Sequence, residues 1–173
     1  MKTLIVYSSL TGNTKKVAAA IKAAFGEEAD MLPVEEQPPA DGYDLVAVGF
    51  WVDRGTADQK ARDYISGLGH KKVALFATLG AYPDSEHARQ SMASAVALLN
   101  DSNQFIGSFI CQGKVDPQLV EQFKNLPAGH PHAMTPERAA RHEEAAKHPD
   151  EADLANAKRV FAEFRQKMHA GGL

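Results

Sequence analysis

A chain of 173 residues, 44% hydrophobic and 24% charged, is long enough for one domain with a sizeable core and has an ordinary globular composition. Its formal net charge of −3 gives no case for nucleic acid or an anionic membrane as partner. No apolar run approaches a membrane span, Met1-Lys2-Thr3 leads into a core strand rather than a signal peptide, and Cys111 has no second cysteine to pair with, a pattern expected of a cytoplasmic protein.

Leu4–Tyr7 reads as an apolar strand, and Lys15–Phe25 as an Ala-rich helix with apolar residues at 17, 20, 21 and 25. Between them lies the turn Ser8-Ser9-Leu10-Thr11-Gly12-Asn13-Thr14. Such a turn is suited to a phosphate. Ser9, Thr11 and Thr14 supply hydroxyl donors, and Gly12 lets backbone N–H groups approach an anion. The helix starting near Asn13 points its positive end at the same place. The turn holds no Lys or Arg, and the Gly-Lys-Ser/Thr of a triphosphate loop is absent, so a neutral cradle for a monophosphate fits best. The plainer reading is a strand–helix turn with a good N-cap.

A short second strand is expected near Asp30–Pro33, then a loop over Glu35–Asp41 with Pro38-Pro39. Leu45–Phe50 is nearly pure apolar, as for a strand covered on both faces. Asp58–Leu68 reads as a helix, Lys72–Thr78 as another buried strand, Asp84–Leu99 as a helix capped by Asp84 or Ser85, and Phe105–Cys111 as the last strand. Alternating strands and helices with short connections predict an α/β fold: a doubly wound five-stranded parallel sheet of order 2-1-3-4-5, helices on both faces. The chain reads as a single domain over 1–173 with an extension at about 114–149. The extension holds a short helix over Asp116–Lys124, a loop at Gly129-His130-Pro131-His132, and a helix starting at Thr135-Pro136-Glu137. His148-Pro149-Asp150 breaks the chain before a last helix at about 151–169.

Ligands of such sheets bind beyond the carboxyl ends of the strands, where strands 1 and 3 diverge, which selects residues 8–14, 50–57 and 78–84. The run Ser9-Leu10-Thr11-Gly12-Asn13-Thr14 resembles the phosphate loop of the flavodoxins, Ser/Thr-x-Thr-Gly-x-Thr directly after the first strand. The resemblance implies that Ser9, Leu10, Thr11, Gly12, Asn13 and Thr14 hold the 5′-phosphate of FMN. In that family an aromatic residue on the second loop covers one face of the flavin. Trp51, the sole tryptophan, looks like its counterpart between Phe50 and Val52, against the alternative that it fills the core. On the third loop Tyr82 sits where a flavodoxin Tyr covers the other face, against the alternative of a plain turn tyrosine. Near Thr78, the N–H groups of Leu79 and Gly80 are placed to meet the pyrimidine edge.

The chain departs from the family in three ways. A Gly often follows the aromatic residue, and its peptide turns over toward flavin N5; here Val52 follows, and a β-branched residue resists positive φ. The net charge is mild where many flavodoxins are strongly acidic, and Arg54 beside Asp53 mixes the charge of the rim. The resemblance covers roughly 1–113 and the last helix. The stretch Phe109-x-Cys111-Gln112-Gly113-Lys114 with the extension resembles a branch of bacterial flavodoxin-domain proteins, and the extension is expected to pack beside the ring-binding loops.

His130, His132, His142 and His148 lie in the extension at spacings that match no standard zinc pattern, so no metal site is expected. Cys111 reads as a core residue, not a nucleophile, and no catalytic side chain is assigned. The leading expectation is an FMN-binding electron carrier between a flavodoxin reductase and an electron-accepting enzyme. The alternative is an NAD(P)H-dependent FMN or quinone reductase on the same fold. A phosphate-accepting signalling domain of this topology is set aside, because strand 1 ends in Tyr7-Ser8-Ser9 without the required Asp residues.

Overall fold

The structure is a computed structural model that describes residues 1–171; Gly172 and Leu173, the end of the expected domain span, lie outside the described residues. The main strands are β1 (Thr3–Tyr7), β2 (Ala29–Pro33), β3 (Leu45–Asp53), β5 (Lys72–Leu79) and β6 (Gln104–Gln112), with a two-residue strand β4 (Thr56–Ala57) between β3 and β5. The helices are α1 (Asn13–Phe25), α2 (Gln59–Gly67), α3 (Glu86–Val96), α4 (Pro117–Lys124), α5 (Pro136–Ala145) and α6 (Glu151–His169). The main strands run parallel in the order β2-β1-β3-β5-β6, which is the expected 2-1-3-4-5 once β4 is set aside.

Alternation along the strands builds two cores. Leu4, Val6, Val46, Val48, Phe50, Val73 and Leu75 face one side, where α2 and α3 close over them with Ala61, Tyr64, Ile65, Met92 and Ala95. Ile5, Tyr7, Leu45, Ala47, Ala74 and Phe76 face the other side, beneath Val17, Ala18, Ile21 and Phe25 of α1 and Ala157 and Phe161 of α6. The extension therefore returns the chain to a helix the fold needs, with Phe161 edge-on to Phe76 at 6.0 Å between ring centroids.

One local feature differs from expectation and bears on the site. The third strand does not stop at Phe50. It continues to Asp53 and doubles back as β4, pairing Val52 with Ala57 and Asp53 with Thr56. The two turn residues, Arg54 (φ 50°) and Gly55 (φ 80°), both take left-handed backbone, the geometry of a tight hairpin. Trp51 and Val52 thus stand on a hydrogen-bonded ribbon rather than a free loop. Among the described residues, no helix is long and apolar enough to cross a membrane.

Candidate functional site

A cleft of about 780 Å³ opens at the carboxyl ends of β1, β3 and β5. Its floor is the turn into α1. Gly12, at φ 94°, is the N-cap residue and has no side chain to cap the helix. Every other α-helix is capped by a side chain: Asp58, Ser85, Asp116, Thr135 and Asp150 accept from backbone N–H groups of α2, α3, α4, α5 and α6 in turn. The N–H groups of Asn13 and Thr14, the first two of α1, have no intrahelical acceptor and stand at its positive end.

The remaining polar atoms of the turn stiffen it. Ser9 Oγ accepts from the N–H of Gly12 (3.1 Å) and of Lys15 (3.3 Å). Asn13 Nδ2 donates to the carbonyl of Lys114 at 2.9 Å and to Thr11 Oγ1 at 3.3 Å. Thr14 Oγ1 and Thr78 Oγ1 share a buried hydrogen bond of 2.9 Å. Only one proton is used between those two hydroxyls, so the pair keeps one O–H to offer a ligand. Orphan N–H groups, a left-handed glycine and neutral hydroxyls make a donor set that fits a phosphate monoester.

Structure places the expected residues unequally. Ser9, Leu10, Thr11, Asn13, Thr14, Trp51, Val52, Thr78, Leu79 and Gly80 line the cleft. Gly12 shapes the turn from just outside the lining. Phe50 is fully buried in the α2–α3 core and presents no side chain to the cleft. Tyr82 is 45% exposed and stands outside the lining; its carbonyl accepts from the N–H and hydroxyl of Ser85.

Behind Trp51 lies a feature that sequence reading missed. Asp58 is 3% exposed. Its Oδ1 accepts from Ser8 Oγ at 2.8 Å, its N–H donates to the Trp51 carbonyl at 3.2 Å, and its Oδ2 has no partner. Burial pushes its carboxyl above the usual range, outweighing the hydrogen bonds that favour the charged form. The residue ties the end of β1 to the ribbon that carries Trp51.

The extension closes the cleft, through Lys114, Val115, Asp116, Leu119, Phe123 and His132, with His87 from α3 nearby. Its root is held by Gly113 N–H to the Leu79 carbonyl (2.8 Å) and Lys114 N–H to the His148 carbonyl (3.0 Å). A Cβ added to Gly80 would fall 2.4 Å from Val115 Cγ2, so this close approach requires glycine. The sequence signal for this wall was present: Leu119 and Phe123 lie four apart on a helix opened by Asp116-Pro117.

The histidines of the extension divide. His148 Nδ1 meets Asp153 Oδ2 at 2.5 Å, and Asp150 caps α6, so these clustered side chains already serve as a helix cap. The hydrogen bond to Asp153 holds the His148 imidazole above its usual range. His132 and His142 pack on Phe123 instead, and His130 packs on His132. Cys111 is buried, which pushes its thiol far up and leaves it no thiolate character.

Comparison with known proteins places this geometry. Residues 4–162 match the model of the flavodoxin domain family. The chain is 35% identical over 162 residues to the flavodoxin-like domain-containing protein BilS of Clostridioides difficile (strain CD3), covering 91% of this chain and 92% of the relative. It is 29% identical to BilS of Clostridium symbiosum (strain WAL-14163), covering 90% and 91%. Among solved structures, a short-chain flavodoxin associated with a bacterial microcompartment superposes with TM-score 0.61 at 16% identity, over 97% of this chain and 99% of that one. A WrbA-like flavodoxin of Agrobacterium tumefaciens superposes with TM-score 0.57 at 16% identity, over 95% and 98%.

Proposed function

This chain belongs to the flavodoxin domain family, and from that premise we propose that it binds FMN in the cleft and carries electrons between a reductase and an electron-accepting enzyme. The observation that carries this reading is the start of α1, where the N–H groups of Asn13 and Thr14 stay free among neutral hydroxyls and open into the cleft that also holds Trp51. When bound, FMN supplies one- and two-electron redox chemistry.

The side chains have holding and tuning roles. The Thr14 hydroxyl and the backbone N–H groups of Asn13 and Thr14 bind the phosphate, while the Asn13 side chain holds the turn. Trp51 offers an apolar face that excludes water from the ring. Leu79 and Gly80 bring backbone N–H groups to its polar edge. Low polarity beside a phosphate disfavours added negative charge on the ring and so lowers its potential. Val52 is fixed in the β3–β4 ribbon, so the peptide after Trp51 is not free to turn over, and the left-handed positions lie further on at Arg54 and Gly55. No side chain is needed as acid or base.

The test is an anaerobic visible spectrum of the protein with FMN, titrated first with dithionite and separately with NADH and NADPH. Bound flavin that dithionite reduces and nicotinamides do not supports the carrier. Rapid bleaching by NADH or NADPH replaces it with a reductase, and failure to retain flavin overturns both.

A further inference from the structure

We propose that the flavin ring lies between Trp51 and the stacked Phe123–His132 pair of the extension, with Tyr82 outside the ring compartment; this rests on the FMN reading above. A flat ring needs two apolar faces, and the family resemblance supplies only Trp51 and Tyr82. Tyr82 is the wrong candidate in this chain. It does not line the cleft, and it belongs to the turn that its carbonyl fixes onto Ser85 at the start of α3. Phe123 and His132 do line the cleft, and so does Leu119 one turn before Phe123.

The Phe123 wall is held in place before any ligand arrives. Its ring stacks on His132 at 5.9 Å and 19° and meets His142 at 6.4 Å, and His130 supports His132 at 5.8 Å. The loop that carries His130 and His132 is clamped by Arg138, whose guanidinium donates to the carbonyls of Ala133 (2.6 Å) and Pro131. At the other end Val115 sits on Gly80, and Gln112 Nε2 donates to the Gly80 carbonyl at 3.1 Å. The wall is thus joined both to α5 and to the loop expected at the pyrimidine edge. A rigid face loses little freedom when a planar ring settles against it.

The proposal separates ring contacts from phosphate contacts, so riboflavin, which lacks the phosphate, is the informative probe. Full-length wild type, Phe123→Ala, Phe123→Leu, Tyr82→Ala and Thr14→Ala are titrated with FMN and with riboflavin, with circular dichroism as the fold check. Phe123→Ala is expected to weaken both ligands by the same factor, about tenfold. Tyr82→Ala is expected to change neither by more than about twofold, and Thr14→Ala to weaken FMN alone. Should Phe123→Ala misfold, Phe123→Leu keeps an apolar filler without a ring and is expected to shift the bound flavin's absorption. A Tyr82→Ala loss that equals or exceeds the Phe123 loss, or a Phe123 loss seen for FMN but not riboflavin, overturns the proposal. Wild type that binds neither ligand overturns the FMN reading itself.

Discussion

Thr14 Oγ1 and Thr78 Oγ1 stand 2.9 Å apart, buried, and join the first turn of α1 to the end of β5. The pair couples the proposed phosphate site to the loop beneath the ring. Thr14→Ala removes a hydroxyl that the proposed FMN reading places on the phosphate. It is expected to weaken FMN by about 1.5–3 kcal/mol, the worth of a hydrogen bond to a charged group. Thr78→Val acts only through Thr14 and is expected to cost about 0.5–1.5 kcal/mol. Flavin fluorescence titration checks both, and equal losses would mean that Thr78 meets the ligand itself.

Trp51 is the only tryptophan, so intrinsic emission reports on one half-buried side chain at the cleft wall. Saturating FMN is expected to quench most of that emission, because a ring stacked on indole takes up its excitation. Trp51→Phe keeps an aromatic face and is expected to bind FMN within a few-fold of wild type, whereas Trp51→Ala loses about tenfold. Unchanged emission at saturation would remove Trp51 from the ring site.

Period and order carried most of the fold. Leu45–Phe50 and Lys72–Thr78 announced two-faced burial by composition, and the turn at 9–14 announced an anion site by its hydroxyls and glycine. What stayed hidden depends on contacts between distant segments. In sequence Asp58 is only the first residue of the helix expected over Asp58–Leu68, and only the fold shows Ser8, fifty residues away, donating to it. Phe123 and His132 gain meaning only when Val115 brings the extension down onto Gly80. Phe50 and Tyr82 show the converse. Adjacency to Trp51 and a place on the third loop suggested contact, but strand alternation turns Phe50 into the core, and the Ser85 cap holds the Tyr82 turn at the surface.

Asp58 gives the fold an uncommon pH signature. Burial raises its carboxyl above the unfolded value of about 3.9, so the folded protein holds this proton more tightly than the unfolded chain. The group's contribution to stability is therefore greatest in acid, falls as pH climbs through the window above the unfolded value, and is constant beyond the folded value. Asp58→Asn keeps the cap on α2 but has no carboxyl to ionise. Its urea midpoint is expected to gain on wild type as pH rises from about 4 to about 7. Asp58→Ala loses the cap as well and is expected to lie about 1–2 kcal/mol below Asp58→Asn at every pH.

His148 runs the other way. Its imidazole, 20% exposed, is held above the usual range first by the Asp153 hydrogen bond and further by Glu144. A raised histidine contributes stability in full below the unfolded value of about 6.5, and that contribution is lost as pH rises through the folded value. His148→Gln is expected to be less stable than wild type by about 1.5 kcal/mol near pH 6, with the gap narrowing by about pH 9. Thermal melts at the two pH values check the sign; a gap that widens with pH would show that the imidazole acts through packing instead.

Gly113 is where the extension presses on the phosphate turn. A Cβ there would lie 2.9 Å from Asn13 Nδ2 and 3.3 Å from both Asn13 Cβ and Cγ, so the whole Asn13 side chain would have to move. That side chain holds the turn to the Lys114 carbonyl. Gly113→Ala is therefore expected to weaken FMN roughly tenfold and to cost about 1–3 kcal/mol of stability from overpacking. Gly67→Ala, near the end of α2 with open space around it, is the matched control and is expected to be neutral or stabilising. Clash and anchoring separate in a double variant. Asn13→Ala alone loses the anchor, but combined with Gly113→Ala it also removes the group that the new methyl strikes. The combined stability loss is then expected to fall short of the sum of the two single losses by about 1 kcal/mol. Strict additivity would mean that the two residues do not meet and that Gly113 acts on the turn through its backbone alone.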